Sequence, residues 1–507
     1  MRAKWSDGYA AELPYLPTYL SAQAPAEMAT VCALAGVHCS LPQEGLAFLD
    51  LGCGRGISVL AMAAANPSWT AIGVDYMPAH VAEAREIAAA AKLENAHFLE
   101  ADIAALDEAA AARLLPELDV VTLHGVWTWV SARVREGILR LLRSRLKPGG
   151  LVLVTYNAMP GWAEDLALRR LLSDLAARMS GPADRRIAEA LEVAHKLHAA
   201  GMQSLERSHF MRWYAAAPPA TRASFARYAV HEFLTEHWEP AWPEDVAAAF
   251  AEAKLDPVGP AALAQHFPDL TLAPPQREAM AALPAGTGHA FLRDTLVRVN
   301  LRQDLFVRGR RPADSDSLVQ ALPLALRQLP ADGRVRLDAP GGEAELPPPV
   351  IGAALAALAE APRTIGFLQS LPEMARTTAG ELLAVLVGSR IAAPVWRAEP
   401  TPEMQARAAR FNRVLLQAIG NDVVAAGGEI AVAAPMLGAA VPMRPVAAAT
   451  LLALREAAAT GQPAPDGPAI ARGMLAQPSE AEIEITERAV AIALAEGVPA
   501  WRILGLL

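Results

Sequence analysis

The run Asp50-Leu51-Gly52-Cys53-Gly54-Arg55-Gly56 leads from an apolar segment (46–51) into a helix-like stretch (57–65). Glycines at 52, 54 and 56 let the backbone turn tightly and approach a ligand with no Cβ in the way. A helix starting directly behind them offers unpaired N–H groups. A dinucleotide fingerprint needs its third glycine at position 57, which is Ile here. Behind the turn stand Asp75, 19 residues past Gly56, and then Asp102 with Ile103. A carboxylate closing the second strand of such a unit accepts both hydroxyls of a ribose. Acidic residues around a crevice suit a positively charged ligand, whereas a pyrophosphate wants the opposite sign.

These residues need a frame. Strand-like runs at 46–51, 69–75, 97–100, 118–124 and 151–156 alternate with helical stretches at 57–65, 78–92 and 131–146. That alternation predicts an α/β fold, a mostly parallel sheet covered on both faces. Residues 1–40 form a lead-in with Tyr9, Pro14, Tyr15, Pro17 and Tyr19, followed by a short helix over 27–35. Residues 41–162 hold this alternating α/β domain and 163–300 a helical domain broken at prolines. Residues 305–400 follow a winged-helix-like order: helix 318–329, strand 335–338, helices 350–360 and 380–389, strand 391–395. Ten arginines balance ten acidic residues there, so the basic face of a DNA reader is missing and a protein-contact module is expected. Residues 401–507 read as a helical domain with a Pro/Gly linker near 461–468.

Composition narrows the function. The 507 residues are 53% hydrophobic and 20% charged, with net charge −9, the wrong sign for a nucleic-acid partner. Cys32, Cys39 and Cys53 are odd in number and apart; they exclude a disulfide scaffold or a four-cysteine zinc site and fit a reducing cytoplasm. His231 and His237 are six residues apart where a zinc-binding helix needs four, so no metal is expected. The opening Met1-Arg2-Ala3-Lys4 has no apolar region behind it. The longest charge-free apolar stretch, 430–443, contains two prolines and falls short of the ~20 residues of a membrane helix. A soluble cytoplasmic protein without membrane insertion is expected.

With glycines at 52, 54 and 56 the turn resembles motif I of class I S-adenosylmethionine methyltransferases, whose domain is Rossmann-like. The resemblance implies S-adenosylmethionine as cofactor. It places Asp50 near the methionine ammonium, Gly52, Gly54 and Gly56 along the ligand, Asp75 at the ribose, and Tyr76 among the cofactor-binding residues. Asp102 and Ile103 would hold the adenine, and His124 would lie over the sulfonium end. The fourth strand ends His124-Gly125-Val126-Trp127-Thr128-Trp129, unlike the Asn/Asp-Pro-Pro-Tyr of enzymes that methylate bases and amides. Over about residues 5–300 the chain is similar to bacterial protein-lysine methyltransferases with a methyltransferase regulatory domain, known from rickettsial enzymes acting on an outer-membrane protein. The matching segments are Tyr9…Leu13-Pro14-Tyr15, the glycine turn, the end of the fourth strand, Tyr156-Asn157-Ala158-Met159-Pro160-Gly161-Trp162 and Tyr228-Ala229-Val230-His231-Glu232-Phe233-Leu234. This similarity implies a protein partner presenting a lysine, extra domains forming a wall beside the cofactor, and a homodimer.

Methyl transfer to an amine is an in-line displacement, in which a protein contributes alignment and desolvation. Lysine must arrive neutral although its free pKa is ~10.4. An aromatic pocket lowers that value and tolerates the methylammonium product. Trp127, Trp129, Tyr156 and Trp162, with Tyr15 and Asn157, are the substrate-side candidates. His124, Tyr156 and His231 are the catalytic candidates, with His124 or His231 placed to accept the proton directly or through water. Core packing and structural hydrogen bonding stay open for each, and proton loss to solvent would also suffice. A small-metabolite methyltransferase with a helical lid and a non-catalytic cofactor-binding scaffold are the alternatives. Because a strand-end carboxylate adds little to a core, replacing Asp75 is expected to weaken cofactor binding and leave the fold intact.

Overall fold

Apolar side chains that alternate along each strand divide between two faces of one sheet. In the computed structural model, which describes residue 8 and residues 15–284, 289–339, 342–474 and 480–507, that sheet has seven strands. Tyr9, Leu13 and Pro14 lie outside the described residues. Strands β1 (Ala47–Leu51), β2 (Thr70–Asp75), β3 (Ala96–Glu100), β4 (Leu118–Leu123) and β5 (Leu146–Asn157) run parallel in the order 3-2-1-4-5. Leu46, Phe48, Val120, Leu151 and Leu153 face helices α1 (Pro25–Leu34), α2 (Ile57–Ala65) and α3 (Pro78–Ala90). Leu49, Leu51, Val121, Val152 and Val154 face the opposite side, which α5 (Ala132–Arg145) covers; the short α4 (Glu108–Leu114) precedes β4.

The sheet does not stop at β5. After helices α6 (Leu166–Arg178), α7 (Ala183–Ala199), α8 (Gln203–Glu206), α9 (His209–Ala216), α10 (Pro219–Leu234) and α11 (Pro243–Glu252), the chain returns as β6 (Leu255–Pro260) and β7 (Leu301–Arg308). β7 lies antiparallel to β5, and β6 flanks it. Residues 255–260 and 301–308 thus complete this sheet, which corrects its expected end at residue 162 and adds a strand to the mainly helical 163–300. Pro257 and Pro260 sit in the edge strand β6, where a missing N–H costs least. Helices α6 to α10 close around their own core of Leu168, Leu172, Ile187, Leu191, Met211 and Phe233.

Further corrections fall in the C-terminal half. The helix expected over 318–329 ends at Ala321, and Pro323–Leu326 is instead the central strand of a three-stranded sheet. Strand Val335–Ala339 pairs with Gly342–Leu346. The tail is not all helical: Ile430–Ala434 and Ala439–Met443 form a hairpin. This hairpin, helix Pro402–Ala426 and the 315–394 module share one continuous core with α1, α2 and α3, so they are no separate domain. Cys32 is buried and Cys39 half-buried, and both are free thiols. Among the described residues no helix is long and apolar enough to cross a membrane.

Candidate functional site

All three glycines of the turn after β1 adopt left-handed backbone, with φ of 73°, 53° and 75° at Gly52, Gly54 and Gly56, a conformation that glycine reaches without penalty. A Cβ on Gly52 would collide with Val126. Gly52 N–H donates to the Val74 carbonyl at 2.7 Å, which ties the turn to β2. Gly52 and Gly54 line a cavity of about 950 Å³ at the carboxyl edge of the sheet. Gly56 does not line it; a Cβ there would press on Phe98 and Ala84, so its part is to let α2 pack against α3 and β3.

The cavity gathers most of the residues expected to hold a cofactor: Asp75, Tyr76, Asp102, Ile103 and His124, with Tyr15 and Trp129 on its wall. Asp75 is fixed by its surroundings. Its Oδ2 accepts the Gly54 N–H at 2.7 Å and its Oδ1 the Met77 N–H at 2.8 Å. Asp102 caps a short turn through the Ala104 N–H (2.9 Å) and pairs with Arg133 at 2.9 Å. His124 Nδ1 lies 2.9 Å from Thr155 Oγ1, which also accepts the Gly125 N–H. Burial lowers the His124 pKa to about 4, so the ring is neutral at physiological pH.

Asp50 is not in the cavity. It is buried behind the turn, where Oδ1 accepts from Gln23 Nε2 (3.0 Å) and Thr122 Oγ1 (2.7 Å). Burial raises its pKa to about 7. This carboxyl anchors the turn from beneath, away from any ligand in the cavity.

His80 belongs to the site and was missed. It lines the cavity from the first turn of α3; its Nε2 accepts the Tyr15 N–H at 3.2 Å and its Nδ1 faces Asp75 Oδ1 at 3.4 Å. Its position five residues past Asp75, just inside a helix opened by Pro78, was the available signal.

On the substrate side the structure sorts the aromatic candidates. Trp129 lines the cavity, and its buried indole N–H has no hydrogen-bond partner among the described residues. Tyr15 packs edge-on to His231 (ring centroids 5.0 Å) and beside Trp129 (6.3 Å). His231 is buried behind Tyr15 and does not line the cavity. Trp127 is a core residue packed edge-on against Phe250 of α11 at 5.0 Å. Tyr156, one residue in register with Arg302 of β7, donates its hydroxyl to Asp304 Oδ2 at 2.6 Å. A buried Arg302–Asp304 pair holds that acceptor at 2.8 Å, so Tyr156 is a structural residue.

Asn157 Nδ2 donates to Glu232 Oε1 at 2.7 Å. Glu232, the second missed residue, stood beside the more conspicuous His231. It is buried and also accepts from Trp238 Nε1 (2.7 Å) and the Tyr228 hydroxyl (2.9 Å); burial raises its pKa. Its charge in turn raises the pKa of Tyr15, after the larger effect of burial. Glu232 and Tyr228 open on a second, outer hollow walled by Trp162, Phe210, Trp213 and Phe225. Trp162 therefore lies at that hollow, its indole N–H on the Asn300 carbonyl at 3.0 Å.

Residues 42–204 match a family described as a methyltransferase domain, and residues 226–308 one described as a predicted methyltransferase regulatory domain. An uncharacterized Synechocystis protein is 27% identical over 388 residues, spanning 76% of this chain and 75% of its own length. An uncharacterized Rickettsia prowazekii protein is 31% identical over 161 residues, 32% of this chain and 62% of its own. The solved structure of PKMT2 from Rickettsia typhi in complex with AdoHcy shares the fold, with TM-score 0.64 at 16% identity, over 97% of this chain and 99% of that one.

Proposed function

We propose that this chain, a class I S-adenosylmethionine-dependent methyltransferase carrying a methyltransferase regulatory domain, methylates lysine side chains of a protein. When bound, S-adenosylmethionine supplies a methyl group already activated on sulfur. The residues present fit that cofactor. Gly52 and Gly54 give a ligand unobstructed backbone, and Asp75 keeps lone pairs beyond those used by its two N–H partners for ribose hydroxyls. Asp102, Ile103 and Tyr76 hold the adenine end. The unpartnered Trp129 indole N–H has a donor to offer a ligand in the cavity.

One observation carries the choice of an amine acceptor: an aromatic and acidic wall beside the cofactor cavity. Tyr15 and Trp129 exclude water on the cavity side, which favours a neutral amine. The outer hollow presents aromatic faces with Glu232 at its base, a combination that attracts a cationic side chain and accommodates its methylated form. His124, held neutral by its burial, adds no positive charge to oppose the incoming amine. Glu232, with its raised proton affinity, is the acceptor for a proton that does not leave to solvent. Likeness to PKMT2 in fold and the regulatory-domain match support the same reading.

The test is direct. Purified protein is incubated with methyl-labelled cofactor and bacterial extract, and labelled proteins are hydrolysed to amino acids. Methylated lysine is expected; label confined to small solutes, or to residues other than lysine, overturns the proposal.

A further inference from the structure

A second hollow, on the opposite face of the sheet from α5, opens between α1, the 315–394 module and the tail hairpin. Its lining is mixed: Met28 and Val31 from α1, Leu153 from β5 and Leu305 from β7 are apolar, while Ser21 and Gln303 add polar groups. Glu27 and Arg327 also line it. The two attract each other, and enclosure raises the Glu27 pKa to about 7 and lowers that of Arg327. Among the described residues neither makes an ion pair within 4 Å, whereas Arg390 and Glu429, at the same hollow, already pair at 3.6 Å and are largely exposed. Opposite charges half-buried without direct contact lose part of their solvation and gain little back. Something between them with both signs of charge would complete the set.

We propose that this hollow binds a small zwitterionic amino acid with an apolar side chain, its carboxylate on Arg327 and its ammonium on Glu27. A simple anion would gain Arg327 and meet Glu27 and Glu429; a simple cation would gain Glu27 and meet Arg327 and Arg390. Only a molecule bearing both charges complements all of them, and the leucine, valine and methionine walls take its apolar part. The Tyr19 hydroxyl, held by the Ala440 N–H at 3.1 Å, forms part of the rim. Residues 19–22 line the hollow and continue into Gln23, which donates to Asp50 and Thr122 (both 3.0 Å) and accepts from Ser58 Oγ at 2.6 Å. The site thus abuts the anchor of the cofactor turn.

The full-length protein, saturated with AdoHcy so that the cofactor cavity is closed to amino acids, is titrated calorimetrically with L-leucine and L-methionine. 4-Methylpentanoate and 3-methylbutylamine, each lacking one charge, serve as controls. One-to-one binding of at least one amino acid is expected, with both controls about tenfold weaker or more, the loss of one charge-assisted contact. Arg327→Met and Glu27→Gln each weaken it by a similar factor while AdoHcy affinity and melting temperature hold. Should Arg327→Met fail to fold, Glu27→Gln decides alone. Absence of heat from both amino acids, controls binding equally well, or undiminished affinity in the folded variants overturns the proposal.

Discussion

Replacing Asp75 by Ala tests the cofactor assignment and also exposes a cost that the sequence did not suggest. The carboxylate accepts N–H groups from Gly54 and Met77 at 2.7 and 2.8 Å, so its removal strands two donors at the cavity edge. Each unsatisfied donor costs about 1–3 kcal/mol when water cannot replace the partner; the open side of the cavity favours the lower end. A loss of about 2 kcal/mol in stability is therefore expected, in place of the intact fold anticipated for a strand-end carboxylate. Cofactor binding loses more. Two charge-assisted hydrogen bonds to ribose hydroxyls, at about 1.5–3 kcal/mol each, amount to at least 3 kcal/mol, or more than about a hundredfold in Kd. Asp75→Asn separates the two effects, since its amide oxygen retains one N–H partner in the same shape. Calorimetric titration with AdoHcy alongside urea unfolding reads both. A folded Asp75→Ala protein that binds AdoHcy within about threefold of the parent refutes the ribose assignment.

Four further outcomes are expected. Tyr156→Phe loses the hydrogen bond to Asp304 and about 1–3 kcal/mol of stability, yet keeps kcat; a large fall in kcat without destabilisation would restore Tyr156 as a catalytic residue. Burial holds the Asp50 pKa at about 7, against ~3.9 unfolded. Between these values the unfolded chain has lost a proton that the folded one keeps, so this contribution declines as pH rises from about 4 to about 7, by up to about 4 kcal/mol. Unfolding of Asp50→Asn followed over that range should lack this decline, and parallel pH slopes for parent and variant would remove it. Because burial takes His124 down to about 4, the kcat/KM profile should show no His124 inflection between about pH 5.5 and 7.5; an inflection abolished by His124→Asn contradicts this. Gly52→Ala combines a collision with Val126 and a left-handed backbone; AdoHcy binding should vanish, and Val126→Ala should restore only part of it.

The cofactor half was legible because each of its features is local. Apolar runs alternate with helical ones, and a glycine turn followed by Asp75 and Asp102 needs no distant partner to be read. What escaped depends on contacts between remote segments. β7 mixes Leu305, Phe306 and Val307 with Arg302 and Asp304, and that buried charge pair takes its place from Tyr156, about 150 residues earlier in the chain, and from the buried Asp294. β6 hides behind two prolines. Residue type alone does not divide Trp127 from Trp129: one faces Phe250 and the other the cavity, a difference of direction on neighbouring turns. Asp50 was assigned to the ligand by resemblance, but Gln23 reaches it from the lead-in and seals it. Glu232 was passed over because a carboxylate usually belongs in solvent, and its three hydrogen-bond donors come from three separate positions in the fold.

The place of β7 between β5 and β6 sets a timetable for the nascent chain. On a ribosome, β5 is finished at Asn157, but its neighbour does not begin until Leu301. At ~5–20 residues per second that interval is on the order of ten seconds or more. Throughout it β5 is a bare hydrogen-bonding margin, the kind of surface that recruits strands from other molecules. A fragment ending at residue 162 would carry that margin permanently and should precipitate, while one extended through Arg308 would cover it.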